Sequence, residues 1–244
     1  MNRLKEHPFA VEAFFERSLV LTFAVPKEEV AALIPPCLSL DTHQDQWAFI
    51  AVAMVQTKNL RPKGFPKIMG SDFFLVGYRV FVRYTNAQGK RLRGLYILKS
   101  ETDSRRMTFF GNLFTEYRYT TTDIQQQSTT SSETISSSKS QFQVKIRKTA
   151  DEVALPEGSV FQDWKEARRF AGPLPFTFTY DADSKKVLII EGLREDWVPK
   201  PVDVESFNFN FLDTLGLSFY KLANAFAIYN IPYHWKKGKV EQWK

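Results

Sequence analysis

Residues 71–114 read SDFFLVGYRVFVRYTNAQGKRLRGLYILKSETDSRRMTFFGNLF, and this stretch decides the fold. Its alternation predicts a strand over 72–84, a turn at 86–89 and a returning strand over 91–102. The turn holds Asn86 and Gly89, residue types that tolerate the positive φ of a tight hairpin. A short helix is expected from Ser104 or Arg105. Both arms exceed the usual strand length of about 5–6 residues, so they predict a large curved sheet or a barrel wall.

The remainder of the chain adds strands and few helices. Short helices are expected over 27–34 and 159–169, and the tail is expected to form a hairpin around Gly238. The polar tract 125–140 predicts exposed strands rather than disorder, because it is rich in Thr and lacks Pro and Gly. Further strands are predicted at 18–25, 38–40, 46–57, 141–147, 176–180, 186–191 and 204–212. The pattern over 218–230 fits either a helix or a strand, and a strand at 223–229 is favoured.

Together these elements predict a mainly β fold with a few short helices. The expected architecture is one antiparallel, closed or nearly closed β-barrel domain over residues 1–244, since closure removes sheet edges. The chain has 244 residues, enough for a substantial core. Neither an N-terminal signal-like run nor a stretch of about 20 apolar residues is present, so no membrane partner is expected.

Composition narrows the function classes. The formal charge is +6, from 33 basic and 27 acidic residues, and the single Cys37 favours a reducing, cytoplasmic compartment. Three scattered His and one Cys provide no metal-ligand spacing. No glycine fingerprint for a nucleotide occurs, so neither metal nor cofactor is expected. The sequence leaves a homo-oligomer open.

The basic C-terminal tail is the only candidate for a nucleic-acid contact. It reads HWKKGK over 234–239, which includes Trp235, and is followed by Trp243; it could act through charge and stacking. A solvated terminal hairpin is the simpler interpretation. No nucleic-acid partner is therefore expected.

The central hairpin carries the candidate site residues. A lysine inside an apolar barrel could attack a carbonyl group, and a carboxylate two residues away could relay a proton, so Lys99 and Glu101 are the catalytic candidates. The alternative places both on a solvent face. Arg79 could hold a ligand carboxylate, or could form a structural ion pair with Glu101 or Glu191.

Which face these side chains occupy depends on strand register. If Thr85 pairs with Lys90, Lys99 shares the face of Tyr78; a shift of one residue in the turn moves it to the face of Arg79. The sequence does not choose between the two registers.

Two segments carry a family resemblance. They are GYRVFVRYTNAQGKRLRGLYILKSETDS, followed by FFGNLFTEYRY, and the earlier LTFAVPKEEVAALIPPCLSLD. They resemble the YqjF-like family of bacterial proteins, which is related to the acetoacetate decarboxylase-like superfamily. The resemblance covers residues 18–122 best, and it implies a double-layered, cone-shaped β-barrel with a central cavity.

The chain departs from the family pattern in two places. Leu75 and Gly77 stand where the family often carries an acidic residue and an Asn before the arginine matched by Arg79. The catalytic lysine pair of true acetoacetate decarboxylases has no match, because the segment around Gly111 reads FGNLF. Whether this chain is an enzyme is left open.

Three functions follow. The first is a barrel that binds a small organic acid or carbonyl compound, with Arg79, Tyr78 and Tyr96 as ligand-binding residues. The second is a lyase- or hydrolase-like enzyme that uses Lys99 and Glu101 in the barrel cavity. The third is a non-catalytic interaction module that uses the basic tail.

Overall fold

Most of the chain is strand, and several strands are unusually long. The computed structural model describes residues 3–148, 152–172 and 174–243. The strands are β1 (Val11–Pro26), β2 (Ser39–Leu40), β3 (Trp47–Pro62), β4 (Ser71–Thr85), β5 (Arg91–Thr102), β6 (Tyr119–Thr121), β7 (Ile124–Ser128), β8 (Ser132–Ser137), β9 (Phe142–Arg147), β10 (Phe176–Asp181), β11 (Lys186–Arg194), β12 (Lys200–Pro201), β13 (Asp203–Phe209), β14 (Lys221–Trp235) and β15 (Lys239–Gln242).

The helices are short. They are α1 (Lys27–Ala31), α2 (Arg105–Phe114), α3 (Trp164–Ala167) and α4 (Asn210–Asp213). Ser104 caps α2 by accepting a hydrogen bond from the Met107 N–H, which satisfies one of the donors left free at a helix start. None of the helices in the described ranges is long and apolar enough to span a bilayer.

Seven strands form a nearly closed ring. The order is β14, β1, β3, β4, β5, β10 and β11, and the ring closes where β11 pairs with β14 at Leu193 and His234. The predicted barrel is thereby confirmed, although the sheet is mixed, because β5 pairs in parallel with β10 and β6. A second, four-stranded sheet has the order β13, β9, β8 and β7, so the polar tract is β-structure as predicted.

The ring wall has two buried faces. Its outer face packs against the second sheet, as where Phe23 of β1 meets Phe207 and Phe209 of β13. Its inner face is partly filled by the segment before β10, where Phe161 and Phe170 pack on Phe49 of β3. Burial on both sides explains why β3 is apolar on both faces.

Three local predictions are wrong. The strand expected to reach Leu212 ends at Phe209 and turns into α4. The helix expected over 159–169 is α-helical only at Trp164–Ala167. The tail does not form a hairpin, because β15 pairs with β11 and the Gly238 N–H donates to the His7 carbonyl. Closure of the ring brings β11 and His7 close to the tail, and their hydrogen bonds take the place of a local turn.

Candidate functional site

The ring encloses a cavity of about 450 Å³, which lies beside the segment before β10 that partly fills the inner face. Its wall is mainly apolar, and its polar groups come from eight strands, which converge here because the ring closes, and from the segments beside them. The polar lining includes His7, Ser18, Thr57, Arg79, Ser100, Thr115, Tyr117, Tyr119, Thr177, Arg194 and Tyr233.

Arg79 is the central charge of this cavity. Alternation along β4 turns Leu75, Gly77 and Arg79 inward, and the half-buried Arg79 side chain lines the cavity with its Nε fully enclosed by protein. Among the described residues no carboxylate lies within ion-pair distance, and Nε has no hydrogen-bond partner. Burial lowers the pKa of Arg79, and the neighbouring Arg194 lowers it further. The ion pairs considered from the sequence do not form, since Glu101 binds Lys99 and Glu191 binds Lys236.

Glycine 77 makes room for this guanidinium. A Cβ at that position would lie 3.0 Å from Arg79 Nε and 3.1 Å from Nη2. The Arg79 side chain therefore extends back along β4 and covers Gly77. The family departure at Gly77 thus has a steric role in this chain.

Arg194 and Tyr233 form a second polar group. They are direct cross-strand partners in the β11–β14 closure, and Arg194 Nη1 donates to Tyr233 Oη at 3.0 Å. The guanidinium also lies 4.4 Å from the Trp197 ring centroid, a cation–π distance. Nη2 has no partner, and burial lowers the pKa of Arg194.

Two further tyrosines follow α2. Burial raises the pKa of Tyr117 and raises that of Tyr119 to about 12, so both hydroxyls are neutral donors near neutral pH. The Tyr117 hydroxyl is buried without a well-formed hydrogen bond, although Thr177 lies beside it. The cavity thus holds the cations Arg79 and Arg194 and neutral hydroxyl donors, and no carboxylate among the described residues lines it.

Lys99 and Glu101 lie on the outer face, away from this cavity. Lys99 Nζ is 2.7 Å from Glu101 Oε1, and the Tyr78 hydroxyl donates to Glu101 Oε2 at 3.3 Å. The Lys99 ammonium is 5.0 Å from the ring centroid of Phe211 in α4. Burial raises the pKa of Tyr78. The catalytic role of the pair stays a prediction, but its position is outside the cavity that the enzyme hypothesis required.

A β-bulge produces this placement. Thr85 pairs with Arg91 and Arg79 with Ile97, which is the register expected to bring Lys99 onto the face of Arg79. The register then shifts, so that Tyr78 pairs with Lys99 and Leu98 is the extra residue. An extra residue reverses every following side chain.

Tyr96 also faces away from Arg79. It packs against the outer core and lines a separate, polar surface pocket of about 400 Å³ with Arg118 and Asp181. Burial raises its pKa. Of the predicted site residues, the structure therefore brings Lys99, Glu101 and Tyr78 together and leaves Arg79 and Tyr96 apart from them.

Most of the cavity residues carry no local sequence signal. Arg194, Tyr117, Tyr119 and Tyr233 were not predicted, because they converge only through ring closure. One signal existed: continuing the alternation of β11 from Ile190 through Gly192 predicts an inward Arg194. No three His, Cys, Asp or Glu side chains in the described ranges lie close enough to hold a metal ion.

Solved structures with similar folds are enzymes or enzyme-like proteins. Acetoacetate decarboxylase from Legionella pneumophila matches with a TM-score of 0.64 at 10% identity, over 96% of this chain and 88% of that one. An acetoacetate decarboxylase-like enzyme from Sphingomonas wittichii RW1 matches with a TM-score of 0.57 at 11% identity, over 99% and 94%. The enduracididine biosynthesis enzyme MppR, complexed with pyruvate, matches with a TM-score of 0.56 at 9% identity, over 96% and 90%.

These likenesses establish the acetoacetate decarboxylase-like fold alone. No protein with a curated function matches the chain significantly in sequence. The model of the DUF2071 family, described as "Uncharacterized conserved protein", matches residues 13–234. Because that match spans nearly the whole chain and agrees with the resemblance seen in the central hairpin, the chain belongs to the DUF2071 family.

Proposed function

We propose that this protein binds a small organic acid, a monocarboxylate with an apolar body, in the cavity of the ring. The observation that carries the proposal is Arg79, a guanidinium enclosed by protein with no carboxylate partner among the described residues. A buried charge without a counter-charge costs several kcal/mol. A ligand carboxylate would supply the missing charge through a bidentate hydrogen-bonded pair.

The other polar groups fit the same ligand class. Arg194 provides a second cation with an unpartnered Nη2, and the hydroxyls of Tyr117 and Tyr119 are available as neutral donors. All of these groups donate hydrogen bonds, so an acceptor-rich, anionic group is favoured over a cationic or neutral one.

The apolar wall defines the remainder of the ligand. Phe73, Leu75, Val55 and Ile228 surround the polar end, and the volume of about 450 Å³ lies in the range of roughly 300–1,000 Å³ that is usual for small-molecule sites. A structural neighbour, MppR, is described in complex with pyruvate, which is itself a carboxylate. The cytoplasmic location expected from Cys37 is part of the same proposal.

The test compares ligands that differ only in charge. Isothermal titration calorimetry with octanoate and with octanamide is expected to show binding of the acid and affinity at least about tenfold weaker for the amide, because a hydrogen bond to a charged group contributes about 1.5–3 kcal/mol. Propanoate separates the contribution of the apolar body.

Variants assign the effect to the cavity. Arg79→Met is expected to remove octanoate binding, whereas Arg91→Met, at an exposed position on β5, is expected to leave it unchanged. Circular dichroism checks that each variant is folded. Equal binding of acid and amide, or full binding by a folded Arg79→Met protein, would contradict the proposal.

A further inference from the structure

The mouth of the cavity is framed by exposed apolar side chains. Phe65 and Met69, from the loop between β3 and β4, and Phe110, from α2, line the cavity and are 48%, 49% and 43% exposed. Next to them, Ile68 is 94% and Phe109 66% exposed. We call the two segments, residues 62–70 and 104–115, the rim. Large exposed side chains gathered around one opening mark an interaction surface rather than scattered surface residues.

Charge on the rim is of one sign. The two segments contain Lys63, Lys67, Arg105 and Arg106 and no acidic residue. None of these four cations makes an ion pair with another described residue, and Arg106 instead lies 5.8 Å from the Phe110 ring centroid. The cations are therefore free to meet an external anionic partner.

The charge pattern decides between two occupants of this surface. A second copy of the chain in a two-fold dimer would place the same patch against itself, so the four cations would face four cations around the apolar contact. An anionic lipid bilayer meets both features at once, because lysine and arginine are attracted to acidic headgroups while Phe and Ile enter the acyl boundary.

We propose that the rim docks on the surface of an anionic lipid bilayer, with Ile68 and Phe109 inserted and the four cations at headgroup level. This contact opens the cavity mouth toward the acyl chains, where an apolar acid would partition. The docking replaces the sequence-based expectation that the chain has no membrane partner. It does not depend on the proposed ligand, since the rim would dock whether or not the cavity is filled.

Vesicle flotation tests the docking directly. The full chain is expected to float with vesicles of phosphatidylglycerol and phosphatidylcholine, to stay behind with phosphatidylcholine alone, and to be released by salt, because screening weakens headgroup attraction. Lys67→Gln with Arg105→Gln is expected to weaken partitioning about 25-fold, since each basic residue contributes about fivefold. Ile68→Ser with Phe109→Ser is expected to weaken it at least about tenfold.

Matched variants control for general surface change. Val198→Ser removes an apolar side chain that is 58% exposed outside the rim, and Arg91→Gln removes an exposed cation; both are expected to float like the wild-type protein. Absence of flotation with anionic vesicles, or equal loss in rim and control variants, would overturn the proposal. So would sedimentation equilibrium showing a dimer that Ile68→Ser dissociates, without any vesicle binding. Octanoate titration of the rim variants keeps the ligand proposal separate, because their cavity charges are intact.

Discussion

The two faces of the β4–β5 hairpin differ in how a partly buried cation is paired. On the outer face, Lys99 is held by Glu101, which is 1% exposed and also accepts the Tyr78 hydroxyl. On the inner face, Arg79 is enclosed without any described carboxylate. A paired buried charge contributes to the integrity of the fold, whereas an unpaired one imposes a cost that a ligand can relieve. The sign of a mutation's effect on stability therefore separates the two faces.

The largest expected effect is on the outer face. Glu101→Leu leaves the partly exposed Lys99 and the buried Tyr78 hydroxyl without their partner. We expect a loss of about 3 kcal/mol in the free energy of unfolding, because a buried hydroxyl is left without an acceptor and the ion pair is broken. Urea denaturation measures it.

The double variant Glu101→Leu with Lys99→Met is the control for that result. It is expected to recover most of the lost stability, since an apolar pair of similar volume replaces the ion pair, and to bind octanoate like the wild-type protein. Loss of octanoate binding in the folded double variant would show that the outer pair belongs to the site after all.

The inner face should respond with the opposite sign. Arg79→Met is expected to raise the free energy of unfolding of the ligand-free protein by about 2 kcal/mol, because an unpaired buried charge is replaced by an apolar side chain of similar length. Urea denaturation with and without octanoate measures the change. A destabilised Arg79→Met protein would mean that the guanidinium has a structural partner.

A smaller change tests the placement of the same guanidinium. In Gly77→Ala the new methyl group would crowd Arg79 Nε and Nη2, and the flexible guanidinium would shift by a few tenths of an ångström. We expect stability to change by less than about 1 kcal/mol and octanoate affinity to fall about tenfold, because the bidentate geometry is lost. In an Arg79→Met background, where octanoate binding is expected to be lost, the alanine should cause no further change in the titration.

The smallest effect concerns pH and His7, another cavity group without a partner at Nδ1. Burial lowers the pKa of His7 below 6.5. As pH falls, the unfolded chain takes up this proton first, so stability is full above pH 6.5 and declines below it. We expect a loss of less than about 1 kcal/mol between neutral pH and about pH 5. The loss should be absent in His7→Gln and retained in His234→Gln, whose imidazole is 40% exposed.

The ring wall could be predicted from the local sequence pattern, whereas the site could not, because its residues come together only when the ring closes. The alternation of β4 and the turn from Asn86 to Gly89 specify the central hairpin from neighbouring residues alone. The exposed strands of the polar tract follow from its Thr content. Leu98 carries no composition signal for a bulge, yet it decides that Lys99 and Arg79 face opposite ways. Tyr233 and Arg194 meet because β14 returns to β11, a contact that no window of sequence contains.

Ring closure also sets the order in which this chain can fold. β1 pairs along its length with β14, although the two strands are separated by on the order of 200 residues, so the ring has a very high contact order. During synthesis the β1–β3–β4–β5 sheet can assemble while one long edge of β1, including Leu19 and Leu21, stays unpaired until β14 is synthesised, on the order of 200 residues later. Until then the nascent chain presents an apolar, unpaired edge, which makes it a substrate for chaperones and vulnerable to aggregation. Translation pauses before residue 221 would prolong that interval. Substitutions in β14 would lower the yield of folded protein before they lower the stability of the finished barrel.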